Sequence, residues 1–482
     1  MTAGSVVLPA LIVVPAAAAA SAPLLRRSRR AVLLIGTAVV HLALVVGVWA
    51  APGARAWAGW IADDALGRIV LTLLSVLFLA VAQYAAAYVQ ETDIRGPTFV
   101  SCLLAFLAAA SLVALSHHFA LMWIGMETTT LAVAPLIFQR RDRRSLEAVW
   151  KYLMLSSVGI ALALLGIFFL STAQPVGGVG NRPLIFDDML ANAARLDPAW
   201  LRAAFVFVAI GFGTKMGLAP LHSWKPDTYG EAPSLVGALM AGALTSCAFL
   251  ALARVAAICF AAGIGSFARP ALLAFGLVSL TIAAAFIVGQ RDVKRLLAYS
   301  SVEHMGLLAV GLGVGGVGAY GAVLHALNNG LAKGLLFLAV GNTVLAFGSS
   351  TVDRMRGVLR RTPASGALLV IGLFAVTGSP PFGMFFSEFA IIRGTIGEEH
   401  PWIAAIVIAL LTVIFVGLAA TLLELVYATP DADGLAERTE RRRLVVAPLV
   451  LAALTVMLGI YIPSPLASAL ADAAAVLGGH AP

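Results

Sequence analysis

Residues 213–227 read GTKMGLAPLHSWKPD and interrupt a chain whose other long segments are almost entirely apolar. The stretch places Lys215 five residues before Pro220. A charge at the centre of a membrane helix costs about 2.5–3.5 kcal/mol or more, and a proline removes a backbone hydrogen bond that lipid cannot replace. Both are tolerated only beside a cavity or other buried polar groups. The stretch therefore predicts a polar break inside a membrane helix, where water lets the lysine gain and lose a proton.

The composition is that of a polytopic membrane protein embedded in the lipid bilayer. The chain has 482 residues, of which 61% are hydrophobic and 12% charged, and its mean hydropathy is +0.96, outside the range of soluble domains. Cys102, Cys247 and Cys259 lie in apolar runs without metal-ligand spacing, so we expect no disulfide framework, metal or redox cofactor. The formal charge of +8 lies mainly in short loops, which favours membrane orientation over nucleic-acid binding.

Apolar segments long enough to cross a bilayer recur along the whole chain. About 20 residues are needed for each span. The sequence therefore predicts an all-α fold, a single membrane domain over residues 1–482 with about fourteen transmembrane helices, at 3–24, 31–50, 69–90, 97–115, 118–138, 149–171, 200–221, 233–257, 270–289, 296–313, 319–346, 366–392, 402–427 and 445–470.

The loop charges predict the orientation of these spans. Most of the 32 lysines and arginines, Lys225 among them, fall in loops that follow odd-numbered spans. Positive loops stay in the cytoplasm, so we expect a bacterial inner-membrane protein with both termini on the outer face. Arginines follow the first apolar run instead of preceding it, which indicates a spanning helix and not a signal peptide. One outer loop, 182–196, predicts a short interfacial helix with Leu184, Ile185, Met189, Ala193 and Leu196 on one face.

Several ionisable residues lie deep inside the predicted spans. Any one of them has an alternative explanation as half of a structural ion pair, but their number favours a path for ions through the bundle. Arg254 is expected to reach a span end by snorkelling, and His117 and His118 to be solvated in an outer loop. The deep residues are Glu127, Lys215, Glu303, His304, His325, Lys333 and Glu388.

A second break lies five spans after the first. The stretch TGSPPFGMFFSEF, 377–389, places Pro380 and Pro381 before Glu388. Interrupted helices in corresponding places are typical of transporters built from inverted repeats. We therefore predict repeats at 97–257 and 270–427. Each contains five spans, an odd number, so the second repeat enters the membrane from the opposite side.

The first break contains a specific motif. PLHSWKPDTYGEAP, 220–233, resembles the Pro-Leu-His-x-Trp-x-Pro-Asp-x-x-x-Glu-Ala-Pro signature of the antiporter-like, proton-translocating subunits of respiratory complex I and related complexes. Further family signatures are matched in the expected order by RDVKRLLAYSSVEHMG (291–306), LAKGLLFLAVGN (331–342) and GSPPFGMFFSEF (378–389). The glutamate before the histidine in SSVEHMG and the stretch ALTSCAFLALAR (243–254) are most similar to the hydrogenase-4 component F branch.

The resemblance implies roles for individual residues. Ser246 stands where many members have a lysine, and Asn329 where many have a histidine that His325 would replace from one turn earlier. Lys225 and Tyr229 also depart from the commonest motif. The implied proton-translocating residues are Glu127, Lys215, Lys333, Glu388, His304 and His325, and the supporting residues are His222, Asp227, Glu231, Ser246, Glu303, Asn329, Pro220, Pro380 and Pro381.

The resemblance implies a proton-translocating membrane subunit of a complex I-like or group 4 hydrogenase-type oxidoreductase. Its partners would be other membrane subunits and a peripheral redox arm, because the chain itself offers no cofactor site. Two alternatives stay open at this point. One is a subunit of a multisubunit cation/proton antiporter of the same fold, and the other is a non-pumping scaffold, which the serine at position 246 favours.

The predicted orientation is tested by single cysteines at Arg141 and Arg442, introduced after the natural cysteines are replaced. An impermeant thiol reagent should label both only from the cytoplasmic side, because both lie in positively charged loops. Labelling of either position from the outside would contradict the topology.

Overall fold

The structure is a computed structural model that describes residues 3–92, 96–175, 184–398, 400–428 and 440–482, and nearly all of these residues are helical. Three of the arginines in the predicted loops, Arg95, Arg182 and Arg438, lie outside the described residues. A small antiparallel hairpin, β1 (Arg55–Ala56) and β2 (Ile61–Ala62), joins the second and third helices. The helices up to the first break are α1 (Ala3–Ser21), α2 (Arg27–Ala50), α3 (Ala65–Glu91), α4 (Pro97–Leu115), α5 (Phe119–Ile137), α6 (Arg143–Thr172), α7 (Phe186–Ala191) and α8 (Pro198–Met216).

The remaining helices follow the first break. A π-helical segment, Met240–Leu244, joins α10 to α11, so the two helices run on as one. In chain order they are α9 (Trp224–Glu231), α10 (Ser234–Leu239), α11 (Thr245–Ala261), α12 (Gly265–Ile287), α13 (Val293–Val314), α14 (Gly316–Phe347), α15 (Val358–Arg361), α16 (Pro363–Val376), α17 (Gly383–Gly397), α18 (Pro401–Tyr427), α19 (Arg442–Ile460) and α20 (Ser464–Val476).

The predicted membrane fold is confirmed. Within the described residues, 13 helices are long and apolar enough to cross a membrane, against the fourteen expected. The difference arises at the predicted span 366–392, which is divided into α16 and α17 by the second break, so neither half has the length of a span. The continuous helix Ser234–Ala261 and α13 are buried inside the bundle along their apolar windows, and α14 mostly so. These central helices carry most of the polar groups described below.

Both helix breaks are built in the same way. The first helix of each pair ends one or two residues before a glycine with positive φ, Gly217 at +80° and Gly378 at +62°, a conformation that side chains disfavour. A proline follows three residues later, at Pro220 and Pro381, and each is preceded by a cis peptide bond. The chain then re-enters a helix, α9 or α17. The breaks lie where the sequence predicts them, but α9 has 8 residues and α17 has 15.

The predicted interfacial helix is present but short. From residue 184 onward the segment forms α7 and a 3₁₀ turn, Ala193–Arg195, and residues 182–183 lie outside the described part. Ile185, Met189 and Leu196 are buried. The apolar face that the sequence predicts therefore packs against the bundle.

A charged cluster closes the end of the bundle near α7. Asp64 caps α3 by accepting a hydrogen bond from the Gly67 amide at 2.7 Å, and Arg254 donates to its carboxylate at 2.9 Å and to the Ser116 carbonyl. His117 lies 3.2 Å from Asp187 and 3.7 Å from Asp64. The expectations for two residues are therefore wrong: Arg254 does not snorkel and His117 is not solvated, because both side chains are buried against carboxylates that are distant in sequence.

The carboxylates decide the charge of His117. Burial and Arg254 act to lower its pKa, but the neighbouring carboxylates of Asp187 and Asp64 outweigh them and raise the pKa above the ordinary value of 6.5. Because the folded-state pKa is raised, the imidazolium stabilises the fold fully below about pH 6.5. This contribution is lost as the pH rises through the raised pKa.

We expect the His117→Asn variant to weaken the pH dependence of stability. The unfolding temperature of the purified natural chain should fall between about pH 6 and about pH 8.5, and the variant should fall less because it has no charge to lose. His400→Asn, at an exposed side chain, is the matched control. Parallel pH profiles for the natural chain and the His117 variant would contradict the assignment.

Candidate functional site: buried lysines and a histidine chain

Lys215 lies in the last turn of α8, immediately before the first break, and is fully buried. Its ammonium group donates a hydrogen bond of 3.0 Å to the Tyr152 hydroxyl and lies 4.6 Å from the centre of that ring. Glu127 does not contact it: among the described residues no ion pair joins them, and the Glu127 carboxylate accepts from Thr130 at 3.3 Å. The Glu127 charge acts on Lys215 through space.

The tryptophan of the motif closes the broken end of α8. Its indole N–H donates to the Thr214 carbonyl at 2.9 Å, and this carbonyl, which has no i+4 helical partner at the break, also accepts from the Gly217 amide at 3.1 Å. The Trp224 ring lies 5.3 Å from the ring of Tyr152 and 6.1 Å from that of Tyr229. The motif thus satisfies the broken backbone and fixes the tyrosine that bonds Lys215.

A polar cleft of about 750 Å³ opens beside α9 at the end of the bundle that carries the arginine-rich loops, which we call the basic end. Asp227 accepts from Lys151 at 2.8 Å and pairs with Arg295 at 3.3 Å, and Glu231 pairs with Arg140 at 3.4 Å. These pairs tie α9 to α6, α13 and the loop after α5. The cleft walls also include Arg144, Glu147, Pro226, Gly230, Asp292, Ser350 and Arg354.

A second buried lysine, Lys294, closes the end of α9. It donates to the carbonyls of Gly230 and Ala232 at 2.7 and 2.6 Å. Both carbonyls lie at the C-terminal end of α9, where helical partners run out. Lys294 is therefore a backbone anchor.

Lys333 is the centre of the second polar cluster. This fully buried residue of α14 donates to the Ser300 hydroxyl of α13 at 2.7 Å. The same hydroxyl donates to Glu303 at 3.2 Å and lies 3.4 Å from the His304 ring nitrogen Nε2. One serine therefore joins a lysine, a glutamate and a histidine.

The chain of contacts continues through the histidines to the second break. His304 Nδ1 and His325 Nε2 are 3.2 Å apart, and His325 Nδ1 is 3.0 Å from the Ser387 hydroxyl on α17. Glu388, the next residue, is buried, and a side chain at Gly378 would overlap its carboxylate. The glycine of the break therefore makes room for the glutamate.

The arrangement has two chemical possibilities. One ligand atom from each of His304, His325 and Glu388 lies within 4.8 Å of the others, which is a donor set for a metal ion. However, Nδ1 of His304 and Nε2 of His325 are hydrogen-bonded to each other. The other ring nitrogen of each histidine faces a serine hydroxyl, Ser300 for His304 and Ser387 for His325. Such an alternation of groups that both accept and donate allows a proton to move along the line.

The structure brings together four of the residues that the sequence predicts, Glu303, His304, His325 and Lys333, and places Glu388 beside them. Three supporting residues are less connected. The Ser246 hydroxyl bonds the Gly242 carbonyl of its own helix at 2.7 Å. The buried Asn329 amide has no hydrogen-bond partner among the described residues, and the His222 ring is 6.4 Å from Tyr299. The roles of these residues stay predictions.

Sequence reasoning missed the residues that connect the charges. Ser300 precedes His304 by one helical turn, so helical spacing offered a signal. Tyr152 offered none, because an aromatic residue in a span is usually a packing residue. Lys225, which the sequence analysis places in a cytoplasmic loop, is fully buried in α9, so that expectation is wrong.

Comparisons with known proteins show the family of the chain. Residues 116–414 match the family described as NADH:quinone oxidoreductase/Mrp antiporter, transmembrane. The chain is 36% identical over 334 residues to the hydrogenase-4 component F homolog of Methylacidiphilum infernorum, covering 68% of this chain and 69% of that protein.

The fold is also found in solved respiratory and antiporter complexes. A chain of the archaeal membrane-bound sulfane sulfur reductase superposes with a TM-score of 0.86 at 22% identity, covering 98% of both chains. A chain of the Mrp complex from Dietzia sp. DQ12-45-1b gives 0.85 at 18% identity, over 98% of this chain and 97% of that one. These two likenesses concern the fold alone, whereas the extent of the family match and the 36% identity decide the family. The chain belongs to the NADH:quinone oxidoreductase/Mrp antiporter family of membrane proteins and is an antiporter-like membrane subunit.

Proposed function

We propose that this subunit translocates protons in a complex I-like or group 4 hydrogenase-type complex, driven by electron transfer in a peripheral redox arm. The carrying observation is the unbroken hydrogen-bonded line from Lys333 through Ser300, His304 and His325 to Ser387 beside the second break. Two groups in contact are enough for a structural ion pair. A continuous line of groups that can exchange protons across three helices is more than helix packing requires, and it therefore supports proton transport.

The proposed path runs from the basic end to the second break. Protons enter from the cytoplasm through the cleft beside α9, load Lys215, pass to Lys333 and leave near Glu388. The buried amides of Asn328 and Asn329 have no hydrogen-bond partner among the described residues, and buried polar groups of this kind are usually satisfied by ordered water. These two positions support a hydrated path beside Lys333.

The proposed stroke uses the separation between Glu127 and Lys215. A carboxylate that moves toward a buried lysine makes it hold its proton more firmly, and one that moves away makes it release the proton. Lys215 is bonded to a neutral tyrosine, so the Glu127 charge acts through space and can be altered by small movements of α5. The redox reaction in partner subunits would change this charge state.

We also propose the membrane orientation and the inverted repeats, 97–257 and 270–427. The arginine-rich loops support a cytoplasmic basic end, with both termini on the outer face. The repeats are supported by the two breaks, in which a glycine with positive φ is followed three residues later by a proline. The same local geometry five spans apart is expected of a duplicated unit.

A multisubunit cation/proton antiporter is the second candidate, favoured by the fold similarity to the Mrp complex of Dietzia. Purification from native membranes separates the two. A co-purifying peripheral redox module, together with electron transfer that acidifies the vesicle interior, would support the first. A complex of membrane subunits alone, with cation/proton exchange driven by an imposed gradient, would support the second and contradict the first.

We expect Glu127→Gln to leave the complex assembled but uncoupled. Glutamine keeps the shape and the hydrogen bond from Thr130 while removing the charge that acts on Lys215. Electron transfer should continue, and dye-reported acidification should fall at least about tenfold. The control is Glu398→Gln, which changes an exposed carboxylate at the end of the bundle opposite the basic end. Unchanged acidification with assembled Glu127→Gln would make Glu127 structural.

Lys215→Arg distinguishes a proton carrier from a structural cation. A guanidinium keeps the positive charge but does not release its proton at accessible pH. We expect the arginine variant to assemble and to lose translocation about as completely as Lys215→Ala, measured in reconstituted vesicles with a pH-sensitive dye. Native gels normalise the rates for assembly. An assembled arginine variant that pumps at close to the natural rate would show that the lysine only holds helices together.

A further inference from the structure

Lys225 is a buried lysine that the proposed path does not yet use. It is the second residue of α9, its side chain is 0% exposed, and its ammonium group donates a hydrogen bond of 3.0 Å to the Ser301 hydroxyl on α13. It also lies 5.9 Å from the centre of the Tyr229 ring. Within the described residues no carboxylate forms an ion pair with it. A charged lysine without a counter-ion is expensive in a membrane interior, so its retention requires a reason.

The position of Lys225 is between the cleft and the second polar cluster. The next two residues, Pro226 and Asp227, line the cleft at the basic end. On the other side, Ser301 is the chain neighbour of Ser300, which accepts from Lys333 at 2.7 Å. The charges of Lys225 and Lys333 act on each other. Lys225 and Lys333 thus each donate to one of two consecutive serines of α13.

The first break gives Lys225 its space. A side chain at Gly217 would collide with the methylene groups and the ammonium of Lys225. Gly217 is two residues after Lys215, so the stem of Lys225 passes directly behind the end of α8. The glycine therefore has two reasons to be there: its positive φ of +80° and the close approach of this lysine.

The contacts of Lys225 differ from those of an anchoring lysine. Lys294, also on this side of the bundle, saturates two backbone carbonyls of the α9 terminus. Lys225 has one hydroxyl partner, which can donate as well as accept, so a neutral amine would be satisfied there equally well. Two buried lysines that act on each other repel when both are charged. This repulsion favours states in which one lysine is a charged ammonium and the other a neutral amine.

We propose that Lys225 is a proton-carrying residue that links the cleft at the basic end to Lys333 through Ser301 and Ser300. In the step, Lys225 gives an ammonium proton to the Ser301 hydroxyl, a water molecule takes a proton from Ser301 and gives one to Ser300, and the Ser300 hydroxyl gives its proton to the neutral amine of Lys333. The Lys225 amine then takes a proton from the cleft, so that nothing is oxidised or reduced. This link does not depend on Ser246, whose hydroxyl bonds its own helix. The inference rests on the proposed function.

The test compares Lys225→Arg and Lys225→Leu in the intact complex, reconstituted in vesicles with a pH-sensitive dye. Arginine keeps the charge and a donor for Ser301 but retains its proton, and leucine removes both. We expect each assembled variant to lose translocation at least about tenfold, with electron transfer retained. An assembled variant of either kind that translocates at the natural rate would overturn the proposal, and if only arginine supports translocation the lysine is structural.

Ser301→Ala keeps the proposal testable if neither lysine variant assembles. Removing this hydroxyl takes away the partner of Lys225 and should slow translocation several-fold. Thr245→Ala is the matched control, because the Thr245 hydroxyl is buried and bonds the Ala241 carbonyl of its own helix at 2.6 Å. Equal rates for the two alanine variants would overturn the link.

The same assay separates this inference from the proposed function. If the natural complex does not acidify the vesicles during electron transfer, the proposed function fails. If the natural complex pumps and Lys215→Ala does not, while the Lys225 and Ser301 variants pump normally, the function stands and only the Lys225 link fails.

Discussion

The hydrocarbon environment requires every charge and every broken backbone group to be satisfied inside the protein. At the ends of α8 and α16, backbone groups lose their helical hydrogen-bond partners. The side chains around these breaks must therefore supply new partners or leave room for polar groups. At the first break, Trp224 donates to the Thr214 carbonyl in the last turn of α8, and Lys294 donates to carbonyls at the end of α9. At the second, Gly378 leaves room for Glu388. A scaffold that must hold polar groups at these points is already suited to hold titratable ones.

Serine hydroxyls are the connecting groups of this interior. Ser300 contacts Lys333 and His304, Ser301 contacts Lys225, and Ser387 contacts the far histidine of the pair. A hydroxyl donates one hydrogen bond and accepts two, so it stays satisfied whether its neighbours are protonated or not. Carboxylate partners in the same places would fix the lysines as salt bridges. The neutral connectors therefore leave the lysines free to change charge without leaving a buried group unpaired.

Much of the fold was predictable from the sequence because lipid imposes a simple rule on apolar length. The spans, both breaks and the depth of Lys333 and Glu388 follow from it. Three-dimensional contacts between distant segments did not follow. Arg254 was misjudged because its partner Asp64 lies 190 residues away, and Lys225 because a lysine between two prolines reads as a loop residue. The separation of Glu127 from Lys215 was equally invisible, since sequence gives depth in a helix and not the direction of its side chain.

The two halves of the bundle satisfy their lysines differently, and the difference bears on how charge is controlled. Lys333 lies within one hydrogen-bonded cluster with Glu303, joined through Ser300, so its counter-charge is local and fixed. Lys215 has a tyrosine as its direct partner, and its counter-charge on α5 is not in contact. An interaction at longer range varies gradually with distance, whereas a contact pair is either made or broken. In the proposed stroke, the half that contains Lys215 is therefore the one in which a movement of α5 changes the interaction of lysine and carboxylate without first breaking a contact.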